Sequence, residues 1–195
     1  LLRSANDRHS KGLANGSDQV GRNYMRHNNL ALMAISREPN PTRFQKTLTL
    51  SEWYLNGDGW DYPFGGIQML GKSDGIQLRA MAPRRVKWGA KLTPEMSLDE
   101  IALHGVDFWL SAEDLPLPDN RLTIDDDGTP RLTLADENNM EPLKRVRKKF
   151  ESMLSDLGME ESTHRRNVYL HEGMAISATA HQAGTAKFGS DPASS

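Results

Sequence analysis

Six histidines stand in the chain, and His181 is set apart from the other five by its neighbours. It follows the small-residue run Ala178-Thr179-Ala180 and precedes Gly184-Thr185, so it ends an apolar segment where the backbone turns tightly with few bulky side chains. An imidazole that faces a cavity at such a place can accept a proton near neutral pH. On position alone a structural histidine is the favoured reading, and the proton-accepting one stays open beside it. The other five lie in polar stretches, where a surface role is the default.

Other stretches match the spelling of a reactive motif and fail on context. Gly66-Ile67-Gln68-Met69-Leu70-Gly71-Lys72-Ser73 fits the P-loop pattern, in which backbone amides cradle phosphates and Ser ligates magnesium. Its middle is Ile, Met and Leu, which favour burial over an exposed loop. Gly71-Lys72-Ser73-Asp74-Gly75 fits the nucleophile-elbow pattern, with one of Asp125 to Asp127 and His181 following in hydrolase order. The parallel sheet that presents such an elbow is not in evidence, and a turn into a helix explains the stretch better. Asp125-Asp126-Asp127-Gly128 lacks the later Glu of a calcium loop and reads as a hairpin turn. His171-Glu172 lacks the second His of a zinc protease, Ala175 standing in its place. Asn15-Gly16-Ser17 spells an N-glycosylation acceptor without a secretion signal to make it relevant. Gly57-Asp58-Gly59 lacks the third glycine of a dinucleotide fingerprint. No metal site is expected.

Composition narrows the field further. The 195 residues suit one ordinary domain or two small ones. With 37% hydrophobic residues and 16 glycines, a packed core can form. Lys plus Arg (24) against Asp plus Glu (26) gives a net charge of −2, which disfavours a nucleic-acid binder. The absence of cysteine excludes disulfides, thiolate-held metals and a thiol nucleophile. No apolar run is long enough for a membrane span, and Leu1-Leu2-Arg3-Ser4 lacks the features of a signal peptide. The opening without Met suggests a piece of something longer. The compartment stays open, a cytoplasmic one being favoured, because the N-terminus that would carry a signal is absent.

The elements that must position these groups follow from hydrophobic patterning. Residues 5–29 are polar and read as a long loop. Residues 30–35 form a continuous apolar run, hence a buried strand, and 47–51 alternate like a half-buried one. Residues 67–70 give another strand, followed by a helix near 74–81 ended by Pro83. Thr93-Pro94 caps a short helix carrying Met96, Leu98, Ile101 and Ala102. Residues 106–110 read as a strand, and 120–124 with 130–134 as a hairpin joined by an Asp-Gly turn. Leu143, Val146, Phe150, Leu154 and Leu157 recur at spacings of three and four on a helix from Pro142 to Gly158. Its basic residues read as a solvated face, since Glu141, Glu151 and Asp156 share the element. The sum is an α+β fold, an antiparallel β-sheet with helices packed on it.

Three segments, in this order, resemble the glucose-methanol-choline (GMC) oxidoreductases. Val20-Gly21-Arg22-Asn23-Tyr24-Met25-Arg26-His27 resembles the Gly-x-Asn-Leu-x-Asp-His stretch where that family's chain passes from the FAD-binding to the substrate-binding domain. Glu113-Asp114-Leu115-Pro116-Leu117-Pro118-Asp119-Asn120-Arg121-Leu122-Thr123 looks like the strand and hairpin of its substrate-domain sheet. His181-Gln182-Ala183-Gly184-Thr185-Ala186-Lys187-Phe188-Gly189 is similar to the His-x-x-Gly-Thr-x-x-Met-Gly segment with the catalytic histidine, and Asp191-Pro192 fits as well. Arg26 replaces the usual Asp, Phe188 the usual Met, and Ala5-Asn6 the usual glycine after Ser4.

The resemblance implies an FAD enzyme that oxidises an alcohol or sugar hydroxyl by hydride transfer to flavin N5, with His181 as proton acceptor and Gly184 and Thr185 lying beside the cofactor. It implies residues 1–22 as a remnant of the FAD-binding domain, 23–176 as the substrate-binding domain, and 177–195 as the active-site segment returning to the FAD-binding domain. Partners would be a small-molecule alcohol or sugar and the rest of that domain, whose fingerprint and second catalytic residue fall outside these residues. The chain alone is then expected neither to hold FAD tightly nor to turn over. The other reading is a non-catalytic binding module, whose basic helix and Trp53, Trp60, Trp88 and Trp109 engage a glycan or an anionic partner.

Overall fold

The computed structural model describes residues 1–36, 38–43, 46–57, 59–81, 98–135, 137–159 and 179–194. They fall into two compact units, Leu1–His27 with Glu113–Met140 and Ser177–Ser195, and Asn28–Ala112 with Glu141–Ile176.

The second unit is built on a four-stranded sheet in the order β1-β4-β3-β2. Its strands are β1 (His27–Ile35), β2 (Thr49–Leu50), β3 (Gly66–Gly71) and β4 (Gly105–Glu113). β3 pairs antiparallel with β2, Thr49 opposite Gln68, and with β4, Ile67 opposite Leu110. A bulge falls between Met69 and Gly71. Helices α1 (Gly75–Met81) and α2 (Leu98–His104) supply Leu78, Leu98, Ile101 and Ala102 to a core shared with Met33 and Ile35 of β1. The α+β architecture therefore stands as the patterning predicts. The proposed Thr93-Pro94 cap, Pro83, His171-Glu172 and Trp88 lie outside the described residues.

Helix α3 (Met140–Asp156) buries Leu143, Val146, Phe150 and Leu154, one stripe at helical spacing. Each such side chain contributes about 1.5–3 kcal/mol on burial. Phe150 meets Phe108 of β4 edge-on, with ring centroids 4.7 Å apart. Gly158 ends the run at φ +79°, and the Met159 N–H donates to the Leu154 carbonyl at 2.8 Å. Arg145 pairs with Glu141 and Arg147 with Glu151, so two of the helix's cations are satisfied on the helix itself.

β1 begins earlier than its apolar run. Asn28 and Asn29 are buried within it, and the Asn29 amide oxygen accepts from Trp109 Nε1 at 3.0 Å and Ser111 Oγ at 2.5 Å. Partners on the neighbouring strand let Asn29 occupy a strand interior. The stretch with the P-loop spelling is β3 followed by Lys72 and Ser73. Ile67 and Met69 are buried, and Lys72 Nζ donates to the carbonyls of Asn40 and Leu103.

In the first unit, β5 (Arg121–Ile124) and β6 (Pro130–Thr133) form the antiparallel hairpin read from the sequence, Leu122 opposite Leu132. The acidic triplet is its turn. Asp125 binds Arg131 through both carboxylate oxygens, and Asp127 accepts the Thr129 N–H at 2.9 Å. The short 3-10 helix Leu2–Ser4 places Arg3 to donate to the Gly128 carbonyl at 3.0 Å. Asn15 is 2% exposed, its amide N–H donating to Lys11 and its oxygen accepting from Val20, so the folded chain withholds that glycosylation acceptor.

Candidate active site

Three separate stretches of the first unit meet around His181. Residues 21–25 run beside 183–185 as an extended pair: Met25 and Ala183 exchange backbone hydrogen bonds of 2.9 and 3.1 Å, and the Gly21 N–H donates to the Thr185 carbonyl at 2.8 Å. The Gly21 carbonyl in turn accepts from Leu122 of β5, which ties the pair to the hairpin. Asn120, 1% exposed, closes the arrangement. Its carbonyl accepts from Tyr24 N–H, and its side-chain oxygen accepts from Ala135 N–H.

Close packing dictates the glycines. Gly184 has φ +92°, and a Cβ there would lie 1.8 Å from the Asn23 carbonyl oxygen. Gly21 has φ +94° and would clash with the Leu122 carbonyl at 2.2 Å. Asn23 (φ +59°) and His181 (φ +61°) are themselves left-handed, a conformation that costs non-glycine residues energy and clusters at functional sites.

The outcome is a pair of imidazoles. His181 Nδ1 lies 3.1 Å from His27 Nε2, and the rings meet edge to face with centroids 5.1 Å apart. His181 is exposed and His27 half-buried. If His181 Nδ1–H donates and His27 Nε2 accepts, the lone pair of His181 Nε2 remains for a proton, and His27 is placed to stabilise the imidazolium that results. This is the base-plus-orienter arrangement, with an imidazole where a carboxylate often stands. The sequence reading singled out His181 and left His27 among the surface histidines, although it closes the first of the resembling segments.

Two ionisable groups of the same unit are shifted by burial. Burial pushes the Tyr24 phenol up, with the Arg26 charge opposing and Asp114 assisting, and its hydroxyl has no hydrogen-bond partner among the described residues. Burial also raises Asp114, against hydrogen bonds from the Arg26 and Leu115 N–H groups and the Arg26 charge. Arg26, where the resembling family carries an acid, is thus part of the local charge balance. Farther along the loop, Asp18 is held down to about 2 by the Arg121 fork and by Arg22.

The other sequence candidates separate. Ser73 belongs to the second unit, where its N–H donates to Asp107 Oδ2 at 2.7 Å, while Asp125 to Asp127 and His181 belong to the first. Among the described residues no group of three or more His, Cys, Asp or Glu could hold a metal ion, and no helix is long and apolar enough to cross a membrane.

No family model matches the chain. It is similar to the large subunit of a fructose dehydrogenase from Gluconobacter japonicus, with 31% identity over 138 residues, which cover 65% of this chain and 23% of that protein. The chain thus spans less than a quarter of the length of the curated relative it matches.

Proposed function

We propose that the chain is the substrate-binding part of an FAD-dependent oxidoreductase of the GMC type, acting on an alcohol or sugar hydroxyl, with His181 as the proton acceptor. The observation that carries the reading is the His27–His181 pair. It joins two of the segments that resemble the family, across 154 positions of sequence. The similarity to a fructose dehydrogenase subunit supports an oxidoreductase and makes a sugar a reasonable substrate class. The domain division follows the same reading, with residues 1–22 and 177–195 as the parts of an FAD-binding domain that this chain contributes.

The donor set suits a flavin that takes hydride from an alcohol carbon. An exposed imidazole, steadied through Nδ1, is free at Nε2 to receive the hydroxyl proton. Gly184 and Thr185, three and four residues after His181, would lie at the cofactor, and Gly184 packs directly on the Asn23 backbone. The flavin, when bound, supplies the hydride acceptor. His181 does the rest of the chemistry asked of this chain: taking the proton makes the substrate oxygen alkoxide-like and loosens the hydride on the adjacent carbon.

The test is His181→Ala in the protein with its flanking sequence. Flavin content, read from the visible absorbance, should stay near wild type, while the rate of flavin reduction by D-fructose and by a panel of simple alcohols and sugars falls about 10²- to 10⁴-fold. A wild-type protein that carries no flavin, or a variant that reduces flavin at the wild-type rate, overturns the reading.

A further inference from the structure

The two imidazoles of the first unit have a second chemistry besides proton transfer. His27 Nε2 and His181 Nδ1 stand 3.1 Å apart, with the rings edge to face. Neutral imidazole is the commonest metal ligand, and its nitrogen binds zinc at about 2.0–2.1 Å. Two such bonds to one ion, from donors 3.1 Å apart, enclose an angle of about 100°. That lies between the roughly 90° of square-planar copper(II) and the roughly 109° of tetrahedral zinc. The separation that suits a hydrogen bond between the rings therefore also suits a chelated ion. Backbone holds the donors near each other in advance, since Met25 and Ala183, two residues from either histidine, exchange hydrogen bonds of 2.9 and 3.1 Å. His181 is exposed, which leaves its ring room to turn and gives water access to the remaining coordination positions. The chain has no cysteine to compete for such an ion. The donors lie 154 positions apart, so no ligand spacing in the sequence announces them.

We propose that His27 Nε2 and His181 Nδ1 chelate a divalent ion of the zinc–copper class, with water in the other positions, and that the ion switches off the proton acceptor. Among the described residues no third His, Cys, Asp or Glu joins the two in a metal-holding group, so this is an open, exchangeable site rather than a structural one. Imidazole nitrogen selects borderline ions over magnesium and calcium, which take oxygen ligands. The switch follows from the tautomer. A neutral imidazole carries one ring proton, and a metal on Nδ1 of His181 leaves that proton on Nε2. Nε2 then has no lone pair with which to take a proton from a substrate hydroxyl. Binding of the ion stands on the pair alone, whereas its effect on the reaction rests on the flavin reading.

Titration calorimetry of the untagged chain with zinc chloride and copper(II) chloride, and with magnesium chloride as the control, tests the binding without flavin or substrate. Zinc and copper should each bind saturably at one ion per chain, copper the more tightly, and magnesium not at all. His27→Ala and His181→Ala should each weaken zinc binding tenfold or more. His27→Gln should do the same and serves where the alanine disturbs folding, which circular dichroism reports. His104→Gln, a change at a histidine of the second unit, should bind zinc as the wild type does. In the flavin-loaded protein, saturating zinc should slow flavin reduction tenfold or more, and a chelator should restore the rate. A protein that binds zinc at the pair and carries no flavin would lose the flavin reading and keep the site. Three results overturn the site: no saturable binding of zinc or copper, binding unchanged in both alanine variants, or binding lost in only one of them, which marks a single adventitious histidine. Zinc bound at the pair with flavin reduction unslowed overturns the switch.

Discussion

His27 Nε2 and His181 Nδ1 stand 3.1 Å apart at the end of the backbone pairing between Met25 and Ala183. The pairing ties together the two segments that carry the side chains, and His181 itself sits in a left-handed conformation, φ +61°. In the proposed oxidoreductase His27 is a positioning residue that works through His181. His27→Ala in the flavin-loaded protein should lower kcat by roughly 10- to 100-fold, short of the loss in His181→Ala, because the base survives but its orientation and charge support do not. His27→Gln, which keeps a hydrogen-bond acceptor near the same place, should recover part of that loss. Equal flavin content in all variants with no change in kcat for His27→Ala would remove His27 from the mechanism.

How much of this was legible in the chain depended on distance along it. Strands β3 and β4, the β5–β6 hairpin and α3 declare themselves locally, through continuous apolar runs, an Asp-Gly turn and a stripe at helical spacing. β1 reaches back to His27 against its composition, because Asn28 and Asn29 look like loop residues and Asn29 finds its partners on Trp109 and Ser111, some eighty positions later. Thr47 and Leu48 alternate like strand residues, yet β2 is only Thr49–Leu50, and Leu48 is 61% exposed. The site divides the same way. Small neighbours marked His181 in its own segment, whereas nothing near His27 says that a second imidazole will meet it.

The need for glycine at position 184 can be separated from a need for glycine in general. Gly184→Ala places a methyl group 1.8 Å from the Asn23 carbonyl oxygen at φ +92°, so backbone must move. The expected cost is about 3 kcal/mol or more, in the range reserved for strain and overpacking. Gly128→Ala is the control: its φ is +83°, but the added Cβ meets nothing within 4 Å, so it should lose only the left-handed penalty of about 1–2 kcal/mol. Urea midpoints of the two variants check the difference. Equal losses would mean that the turn after His181 relaxes freely around Asn23.

Asp18 should make the first unit sensitive to strong acid. Arg121 grips both of its oxygens and Arg22 one, which holds the carboxyl down to about 2, below the ordinary value near 3.9. A depressed folded-state pKa gives stability that is present above about pH 4 and disappears as the pH falls towards about 2. The side chains involved are roughly a quarter exposed, so solvent screening reduces the contribution to about 1 kcal/mol. Asp18→Asn should therefore lower the denaturation midpoint at neutral pH and match the wild type near pH 2. Asparagine tolerates the φ of +62° at this position, so backbone strain does not confuse the comparison. A deficit that persists unchanged at low pH would trace the loss to packing rather than to charge.

Asp107 should respond in the opposite sense. It is half-buried in β4, and burial raises its carboxyl above the ordinary value while hydrogen bonds from Ser73 pull it partly back. A raised folded-state pKa means that stability present below about pH 3.9 is lost as the pH climbs through the raised value, so the ionised carboxylate weakens the fold at neutral pH. Asp107→Asn keeps an oxygen for the Ser73 N–H, now 2.7 Å away, and removes the charge that burial disfavours. The variant should gain stability at neutral pH and lose that advantage in acid, where Asp18→Asn shows the reverse dependence. Denaturant titrations of both variants at neutral pH and near pH 2 decide it. A less stable Asp107→Asn at neutral pH would show that the bonds from Ser73 to a charged acceptor outweigh the cost of burying it.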